Sequence, residues 1–489
     1  MLFNSYSFIF AFLPLTFFIY FYLNSKRLTV AAKGFLVFAS LFFYSYWNIV
    51  YLPLILGSIL FNFMVGSGLS KESKFSKKSV LIFGIVANVA LLGYFKYSDF
   101  FITNFNLAMG LYPKGTSHVE LLHLLLPLGI SFFTFTQIAF LVDSYKGKVK
   151  EYDFLNYALF VTFFPHLLAG PIIHHADMMP QFASRWNMAI RYRNVAAGLF
   201  LFSIGLFKKV VIADTFATWA NNGFDVATSL NLIEAWATSL SYTFQLYFDF
   251  SGYTDMAIGV SLMLNIKLPA NFNSPYKAKD IQDFWRRWHI TLSKFLRDYI
   301  YIPLGGNRVS NYRNSFNLFS VFLIGGLWHG ASWMFVLWGA LHGIAMVIHR
   351  IWKDIGFKMN SFMAWFITFN FINITWVFFR AKHWDDALKV LGGMVSLDNF
   401  VLPQMLAMKL AFLSTYGVVF GDYLGDITGN IKTLVIIFLS LLFVLIFKNS
   451  MQKLESFKLN AFHLIFSISI LLVALSVQNS VSEFLYFNF

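Results

Sequence analysis

Cysteine is absent from this chain of 489 residues. That absence excludes disulfide bonds, zinc sites with thiolate ligands and a cysteine nucleophile, and it leaves the redox state of the compartment open. Charge is scarce as well, because Asp, Glu, Lys and Arg make up only 12% of the residues. Since soluble domains carry about 25% charged residues, the composition excludes an ordinary soluble protein.

Apolar residues dominate instead, at 58% of the chain, and phenylalanine alone contributes 62. Runs of roughly 20 apolar residues are long enough to cross a bilayer as a helix. Such runs recur near residues 8–23, 34–52, 53–69, 79–95, 121–142, 154–172, 194–213, 230–250, 252–266, 315–333, 334–352, 361–379, 405–421, 432–447 and 461–477.

Several of these runs are short or interrupted, so we expect about eleven to thirteen spans with one or two re-entrant or interfacial pieces. The runs are continuous rather than alternating, which favours helices over a barrel. The sequence therefore predicts an all-α polytopic integral membrane protein with a single membrane-embedded domain over residues 1–489.

The ends and the charge distribution refine this picture. The first apolar run is followed by Lys26 and Arg27 and lacks a small-residue cleavage site, so we expect it to be retained as a helix. The net charge is +14, and lysine and arginine in short loops mark the cytoplasmic face. No internal repeat is evident, although many transporter folds contain two related halves.

One basic segment, residues 269–313, differs from its surroundings and is predicted to be cytoplasmic or interfacial. Within it, residues 281–302 have the periodicity of one amphipathic helix with Trp285 and Trp288 on its apolar stripe. Arg286 and His289 fall on a neighbouring polar stripe. Helices rich in tryptophan and arginine lie at the membrane interface.

Two histidines are candidates for proton chemistry. His329 lies in the apolar run Ile324-Gly-Gly-Leu-Trp-His-Gly330, and an ionisable residue at membrane depth is a functional candidate by default. Helical phase puts His342 and His349 on the opposite face, where a purely structural role is favoured. His289 is surrounded by cations, which favours a neutral imidazole able to accept or relay a proton; an ordinary interfacial helix is the alternative.

A third patch, residues 163–175, holds three histidines beside two prolines and a glycine. Its spacing matches no zinc pattern, and no acidic residue lies among the histidines. We expect a broken helix lining a cavity, and no metal.

The motifs together resemble the membrane-bound O-acyltransferase superfamily, in its branch that acts on bacterial polysaccharides. The matching stretches are Pro127-Leu-Gly-Ile-Ser-Phe-Phe-Thr-Phe-Thr136, Phe164-Pro-His-Leu-Leu-Ala-Gly-Pro171, Phe248-Asp-Phe-Ser-Gly-Tyr-Thr-Asp255, Phe284-Trp-Arg-Arg-Trp-His289 and Leu327-Trp-His-Gly-Ala331. The resemblance implies a ring of tilted helices around a central tunnel that joins the two faces. It also implies that His329 is the essential catalytic histidine, that His289 is the second, less strictly kept position, and that acetyl-CoA is the donor.

Coenzyme A carries several phosphate charges, and arginine suits bidentate phosphate contacts. The predicted donor-binding residues are Trp285, Arg286, Arg287, Trp288, Lys294 and Arg297. His329 would act as general base, and loss of His289 is expected to damage activity less completely.

The aromatic tail, residues 484–489, contains one hydroxyl, that of Tyr486. Such a tail is typical of the branch and resembles that of a small partner in lipoteichoic acid D-alanylation, where a tyrosine is thought to carry the acyl group. A tyrosine ester would be a covalent relay, while an aromatic anchor at the interface is the alternative.

The sequence thus predicts an enzyme of the bacterial inner membrane that moves acetyl from cytoplasmic acetyl-CoA to an exported polysaccharide such as peptidoglycan or an alginate-like polymer. The resemblance adds a periplasmic O-acetyltransferase as the expected partner protein; membrane lipids are the other partner, and nucleic acid is not. A transporter or flippase for a lipid-linked saccharide is the alternative from another class, and a scaffold that only recruits partners is a third. The glycan itself is not identified by the sequence.

Overall fold

The protein, seen in a computed structural model, is built almost entirely of helices. The structure describes residues 1–70, 76–110, 118–149, 153–396, 400–478 and 482–485. The first five α-helices are α1 (Leu13–Ser25, preceded by a π-helical turn Phe8–Phe12), α2 (Thr29–Ser45), α3 (Leu52–Ser70), α4 (Lys77–Ala108) and α5 (Ile130–Tyr145).

A broken region and the central helices follow. They are α6 (Phe154–Thr162), α7 (Phe164–Leu167), α8 (His175–Ala183), α9 (Tyr192–Phe207), the π-helical turn Lys208–Ala213, α10 (Asp214–Asn221) and α11 (Leu232–Met263). The break between α6 and α8 confirms the interrupted helix that the prolines and glycine of residues 163–175 predict.

The second half begins with two short helices and continues with longer ones. These are α12 (Ile281–Arg287), α13 (Ile290–Leu296), α14 (Asn311–His329), α15 (Trp333–Ile355), α16 (Ser361–Arg380), α17 (Trp384–Val395), α18 (Ala407–Leu410), α19 (Ile431–Ile446), α20 (Ser450–Glu455) and α21 (Ala461–Val477). Two short parallel strands, β1 (Val401–Pro403) and β2 (Val419–Gly421), form a small sheet between α17 and α19.

Six helical stretches are long and apolar enough to cross a membrane by length and composition among the described residues. They are Phe8–Ser25, Ile49–Ser70, Lys77–Ala108, Tyr192–Val226, Trp333–Ile355 and Ser361–Arg380. Three apolar helices, α2, α19 and α21, are shorter. The count is lower than the expected eleven to thirteen spans partly because α11, though 32 residues long, carries Glu234, Asp249 and Asp255 in a Ser- and Tyr-rich sequence.

Helix α11 is the central element, and nearly all of its side chains are buried. Its start is fixed by a capping box, in which Asn231 accepts from the backbone of Glu234 while the Glu234 side chain accepts from Asn231 N–H. Glycines let α9 cross it closely. A Cβ on Gly205 would lie 2.6 Å from the carbonyl oxygen of Gly252, and one on Gly252 would lie 2.8 Å from that of Gly205. Such crossings through small residues are a common way to pack membrane helices.

Candidate active site

His329 is the last residue of α14, and its side chain is only 4% exposed. Three aromatic rings enclose the imidazole: those of Trp328, Trp338 and Phe379, with ring centroids 4.9, 5.1 and 5.1 Å away. The backbone then breaks at residues 330–332 before α15 begins at Trp333. His329 and His342 therefore belong to different helices, so the helical phase that predicts opposite faces for them does not apply.

The backbone at this helix end is held by Lys96 of α4, a residue that the sequence reasoning missed. The final carbonyls of a helix have no intrahelical partner and form its negative end. Lys96 Nζ donates to the carbonyl oxygens of Trp328 and His329 at 2.7 and 3.0 Å and lies 3.3 Å from Ser131 Oγ. The available signal was a lone cation directly after the apolar run 79–95.

A small cavity of about 40 Å³ lies beside His329. It is lined by Lys96, Leu126, Pro127, Leu128, Gly129, Ile130, Ser131, Phe132, Leu168, Trp328 and His329. Gly129 has a φ of +71°, and a Cβ there would lie 2.9 Å from the Leu167 carbonyl oxygen, so the turn into α5 requires glycine. The volume suits roughly one to three water molecules. A hydroxyl group entering this space would lie beside His329, Lys96 and Ser131.

His289 lies at a break that the sequence periodicity did not predict. The expected single helix over residues 281–302 is two helices, because His289 has a φ of +42°. Asn271 competes for the backbone at this point: its carbonyl accepts from Ile290 N–H, and its side-chain oxygen accepts from Thr291 N–H and Thr291 Oγ. These bonds from a residue distant in the chain take up backbone N–H groups that a continuous helix would use, so the helix breaks at His289.

The break turns the His289 ring inward, away from the polar stripe that it was predicted to share with Arg286. The ring is fully buried, with its centroid 4.8 Å from that of Phe250 and 6.2 Å from that of Trp328. Its Nδ1 lies 3.2 Å from Asn271 Oδ1. Burial lowers the pKa of His289 to about 3. The imidazole is therefore neutral as expected, but burial is the cause rather than the neighbouring cations.

The six predicted donor-binding residues separate into two groups. Three cations, Arg286, Lys294 and Arg297, are exposed, and Arg287 is half-buried. The Arg287 and Arg297 guanidinium groups pair with Asp283 and Asp298.

The two tryptophans of that set are placed differently from the prediction. Trp285 and Trp288 are buried, so they form part of the aromatic core behind the cations rather than a surface. The Trp285 indole N–H donates to His342 Nδ1 at 3.2 Å, and the Trp288 ring lies 5.0 Å from that of Trp376. Large aromatic side chains at regular helical spacing pack in the core here.

Two more histidines border a second cavity, of about 400 Å³, at the opposite end of α5 from the first. It is lined by Asp143, Lys146, Lys148, His174, His175, Ala176, Asp177, Lys294, Asp298, Tyr299 and Ile302. Tyr299 links two of these groups, since its hydroxyl donates to Asp143 at 2.8 Å and lies 3.1 Å from His174 Nδ1. Within the residues that the structure describes, no group of three histidine or acidic side chains is arranged to hold a metal ion.

Between the two cavities lies a stack of three aromatic rings. The ring of Phe135 is parallel to that of Phe295 at 4.2 Å and to that of Trp328 at 5.1 Å. Trp328 at one end of the stack lines the first cavity, and Phe295 at the other end contacts Tyr299, which lines the second.

The C-terminal tail returns to this region. Phe484 is buried against Tyr253, with centroids 4.5 Å apart, and against Phe250 at 5.6 Å. Phe250 in turn contacts His289. Tyr486, the predicted acyl carrier, lies outside the described residues.

Comparison with known proteins agrees with this architecture. The model of the membrane-bound O-acyltransferase family matches residues 17–382. A peptidoglycan O-acetyltransferase of Helicobacter pylori is 51% identical, over 100% of this chain and 98% of its own length. A probable alginate O-acetylase, AlgI, of Pseudomonas aeruginosa is 39% identical over 84% of this chain and 78% of its own length.

A teichoic acid D-alanyltransferase of Bacillus subtilis is more distant, at 28% identity over 52% of this chain and 69% of its own length. These similarities favour an enzyme over the transporter and scaffold alternatives. The chain belongs to the membrane-bound O-acyltransferase family and is a multi-pass membrane acyltransferase.

Proposed function

We propose that this protein takes acetyl from cytoplasmic acetyl-CoA and transfers it across the bacterial inner membrane for O-acetylation of an exported polysaccharide. The observation that carries the proposal is the position of His329 at a helix end, in the wall of a cavity shared with Lys96 and Ser131. The relatives' names supply the acceptor class, since they refer to peptidoglycan and alginate.

The reaction needs a hydroxyl to attack the thioester carbonyl. His329 takes the hydroxyl proton as the new carbon–oxygen bond forms. The carbon–sulfur bond then breaks, and the departing thiolate receives the proton from the imidazolium. Positioned proton transfer of this kind contributes about 10²–10⁴-fold to the rate. Lys96 supports the step by holding the carbonyl groups of Trp328 and His329.

The donor enters from the basic side in this proposal. The exposed cations Arg286, Lys294 and Arg297, with Arg287, would hold the phosphates of coenzyme A, and Arg297 would exchange Asp298 for a phosphate. Lysine and arginine accumulate on the cytoplasmic side of membrane proteins, which supports a cytoplasmic location for residues 269–313.

A cysteine introduced at the exposed Asn307 tests that orientation, because the chain has no native cysteine. Membrane-impermeant maleimide should label Asn307→Cys in inverted inner-membrane vesicles and leave it unlabelled in intact spheroplasts. Labelling in spheroplasts alone would overturn the donor-side assignment.

The acetyl group has two routes after leaving coenzyme A. It passes either directly to the glycan or first to Tyr486 and then to a periplasmic transferase. The burial of Phe484 near His289, through Phe250, supports the relay. The competing role for the tail is that of an interfacial anchor.

The central test follows radiolabelled acetyl from acetyl-CoA in membranes into polysaccharide. His329→Ala should abolish the transfer while the amount of protein in the membrane stays normal. Loss of His289 should reduce it less completely. Near-normal acetylation by His329→Ala would refute the role of His329 as general base.

A further inference from the structure

The motif Phe248-Asp-Phe-Ser-Gly-Tyr-Thr-Asp255 lies in the middle of α11, and the chemistry at His329 does not use it. Its two carboxylates face two adjacent lysines on the π-helical turn that follows α9. Lys208 Nζ lies 2.7 Å from Asp255 Oδ2, and Lys209 Nζ lies 2.7 Å from Asp249 Oδ1. All four residues are buried. Buried charges inside a membrane protein are costly and mark function by default, and π-helical turns are frequent at functional sites.

The two ion pairs differ in what else they bind. Lys208 and Asp255 both contact Ser450 of α20, at 3.1 and 2.9 Å. That pair joins three helices, which is a structural role. The Lys209–Asp249 pair instead binds residues 482–485, which lead into the aromatic residues at 484–489 and are counted with them as the C-terminal tail.

The tail is held mainly through its backbone. Lys209 Nζ donates to the Glu483 carbonyl at 3.0 Å, and the Leu485 N–H donates to Asp249 Oδ2 at 3.0 Å. Asp214, which also pairs with Lys209 at 3.0 Å, accepts from Ser482 Oγ at 2.7 Å. Hydrogen bonds to charged groups are the stronger kind.

These contacts direct one side chain inward. Phe484 is 1% exposed, and it stacks on Tyr253 of the same motif. It also contacts Phe250, whose ring lies edge-on against His289. The tail is thus held by charges on one side and by the motif's aromatic rings on the other.

We propose that Lys209, Asp214 and Asp249 form a receptor for the C-terminal tail. This tail receptor holds Phe484 against Phe250, the ring that contacts His289, and so positions the tail for acyl transfer. The positioning half rests on the proposed function; the docking half does not. In this proposal the motif at residues 248–255 binds the tail, in addition to packing α11 against its neighbouring helices.

The experiment measures docking in the full-length protein in native membranes. Leu485→Cys gives a single thiol at a position that keeps the backbone bond to Asp249. Its labelling by maleimide should be slow, and it should become at least about tenfold faster when Lys209 and Asp249 are replaced together by Met and Leu, because the charge-assisted bonds are lost. Replacing both members of the buried pair leaves only Asp214, which is partly exposed, without its lysine, and this keeps the variant foldable.

The matched control is the double change Lys208→Met with Asp255→Leu, which removes an equally buried pair that does not bind the tail. Its labelling rate should equal that of the parent. A milder variant, Ser482→Ala, removes only the bond to Asp214 and should raise labelling by a smaller factor. The tail-receptor proposal would be overturned if the labelling rate in the Lys209/Asp249 variant equalled that of the parent. It would also be overturned if the labelling rate rose equally in both double variants.

Acetyl transfer is measured on the same membranes. Loss of transfer in the Lys209/Asp249 variant, relative to the Lys208/Asp255 control, supports positioning. Faster labelling with unchanged transfer would overturn the positioning role. Failure of the proposed function would show separately, as activity that survives His329→Ala.

Discussion

His329 and His342 are both buried in one aromatic cluster, yet their surroundings differ. The ring of Trp338 contacts both, at 5.1 and 4.7 Å. His342 lies within α15, where its two ring nitrogens contact Trp285 Nε1 and Thr375 Oγ1, each at 3.2 Å. His329 ends its helix, lines a cavity, and has its own carbonyl held by Lys96.

Burial alone therefore does not separate the proposed catalytic histidine, His329, from a structural one. Partners that occupy both ring nitrogens fix a histidine as part of the core. A histidine at a helix end beside a cavity can instead meet a substrate proton, provided that the backbone is held in place.

If His329 is the general base, it must deprotonate a hydroxyl group. In the relay proposal that group is the hydroxyl of Tyr486. Tyr486→Phe keeps the aromatic ring but removes the hydroxyl, so acetyl transfer to polysaccharide should fall by at least about 100-fold, the lower range for a lost proton-transfer step. Transfer is measured with radiolabelled acetyl-CoA in membranes.

The control for that change is Phe487→Leu, which alters packing in the same tail and should keep some transfer. Acetyl found on Tyr486 by mass spectrometry of trapped enzyme would support the relay directly. A Tyr486→Phe protein that acetylates glycan at the normal rate would leave the tail as an anchor.

The sequence predicted the all-α membrane fold and placed His329 in an apolar setting, because both follow from composition and from runs of apolar residues. It did not predict the break at His289, since that break depends on Asn271, which is 18 residues away in the chain and contacts it only after folding. Nor did it predict that Trp285 points into the core, because a helical stripe does not reveal which face meets protein.

Lys96 provides the second test, because it binds the backbone carbonyl of His329, and this is one of the features that distinguish His329 from His342. Lys96→Met removes two hydrogen bonds and a cation at the end of α14, and a charge at a helix end contributes up to about 2 kcal/mol. Acetyl transfer should therefore fall by roughly tenfold, since 1.4 kcal/mol corresponds to that factor. Lys96→Arg should recover part of it.

Lys78→Met is the matched control, as Lys78 is an exposed lysine near the start of the same helix. Its transfer rate should equal that of the parent. If Lys96→Met transfers acetyl normally, the chemistry does not need Lys96 to hold the end of α14. Only the cavity beside His329 would then distinguish it from His342.

Replacement of His342 has the smallest expected effect on catalysis, because His342 is the structural member of the pair. His342→Leu leaves the Trp285 indole N–H without its histidine partner, while the Thr375 hydroxyl keeps its bond to the Ile372 carbonyl. An unsatisfied buried polar group costs about 1–3 kcal/mol. The thermal midpoint of the detergent-solubilised protein should therefore drop, whereas acetyl transfer per folded molecule should stay within about threefold of the parent, a change worth well under 1.4 kcal/mol.

A variant that keeps its thermal midpoint but loses transfer would place His342 in the reaction, and the distinction between an enclosed histidine and one at a helix end would then fail. A loss of stability with transfer preserved would confirm that partners on both ring nitrogens mark the structural member of the pair.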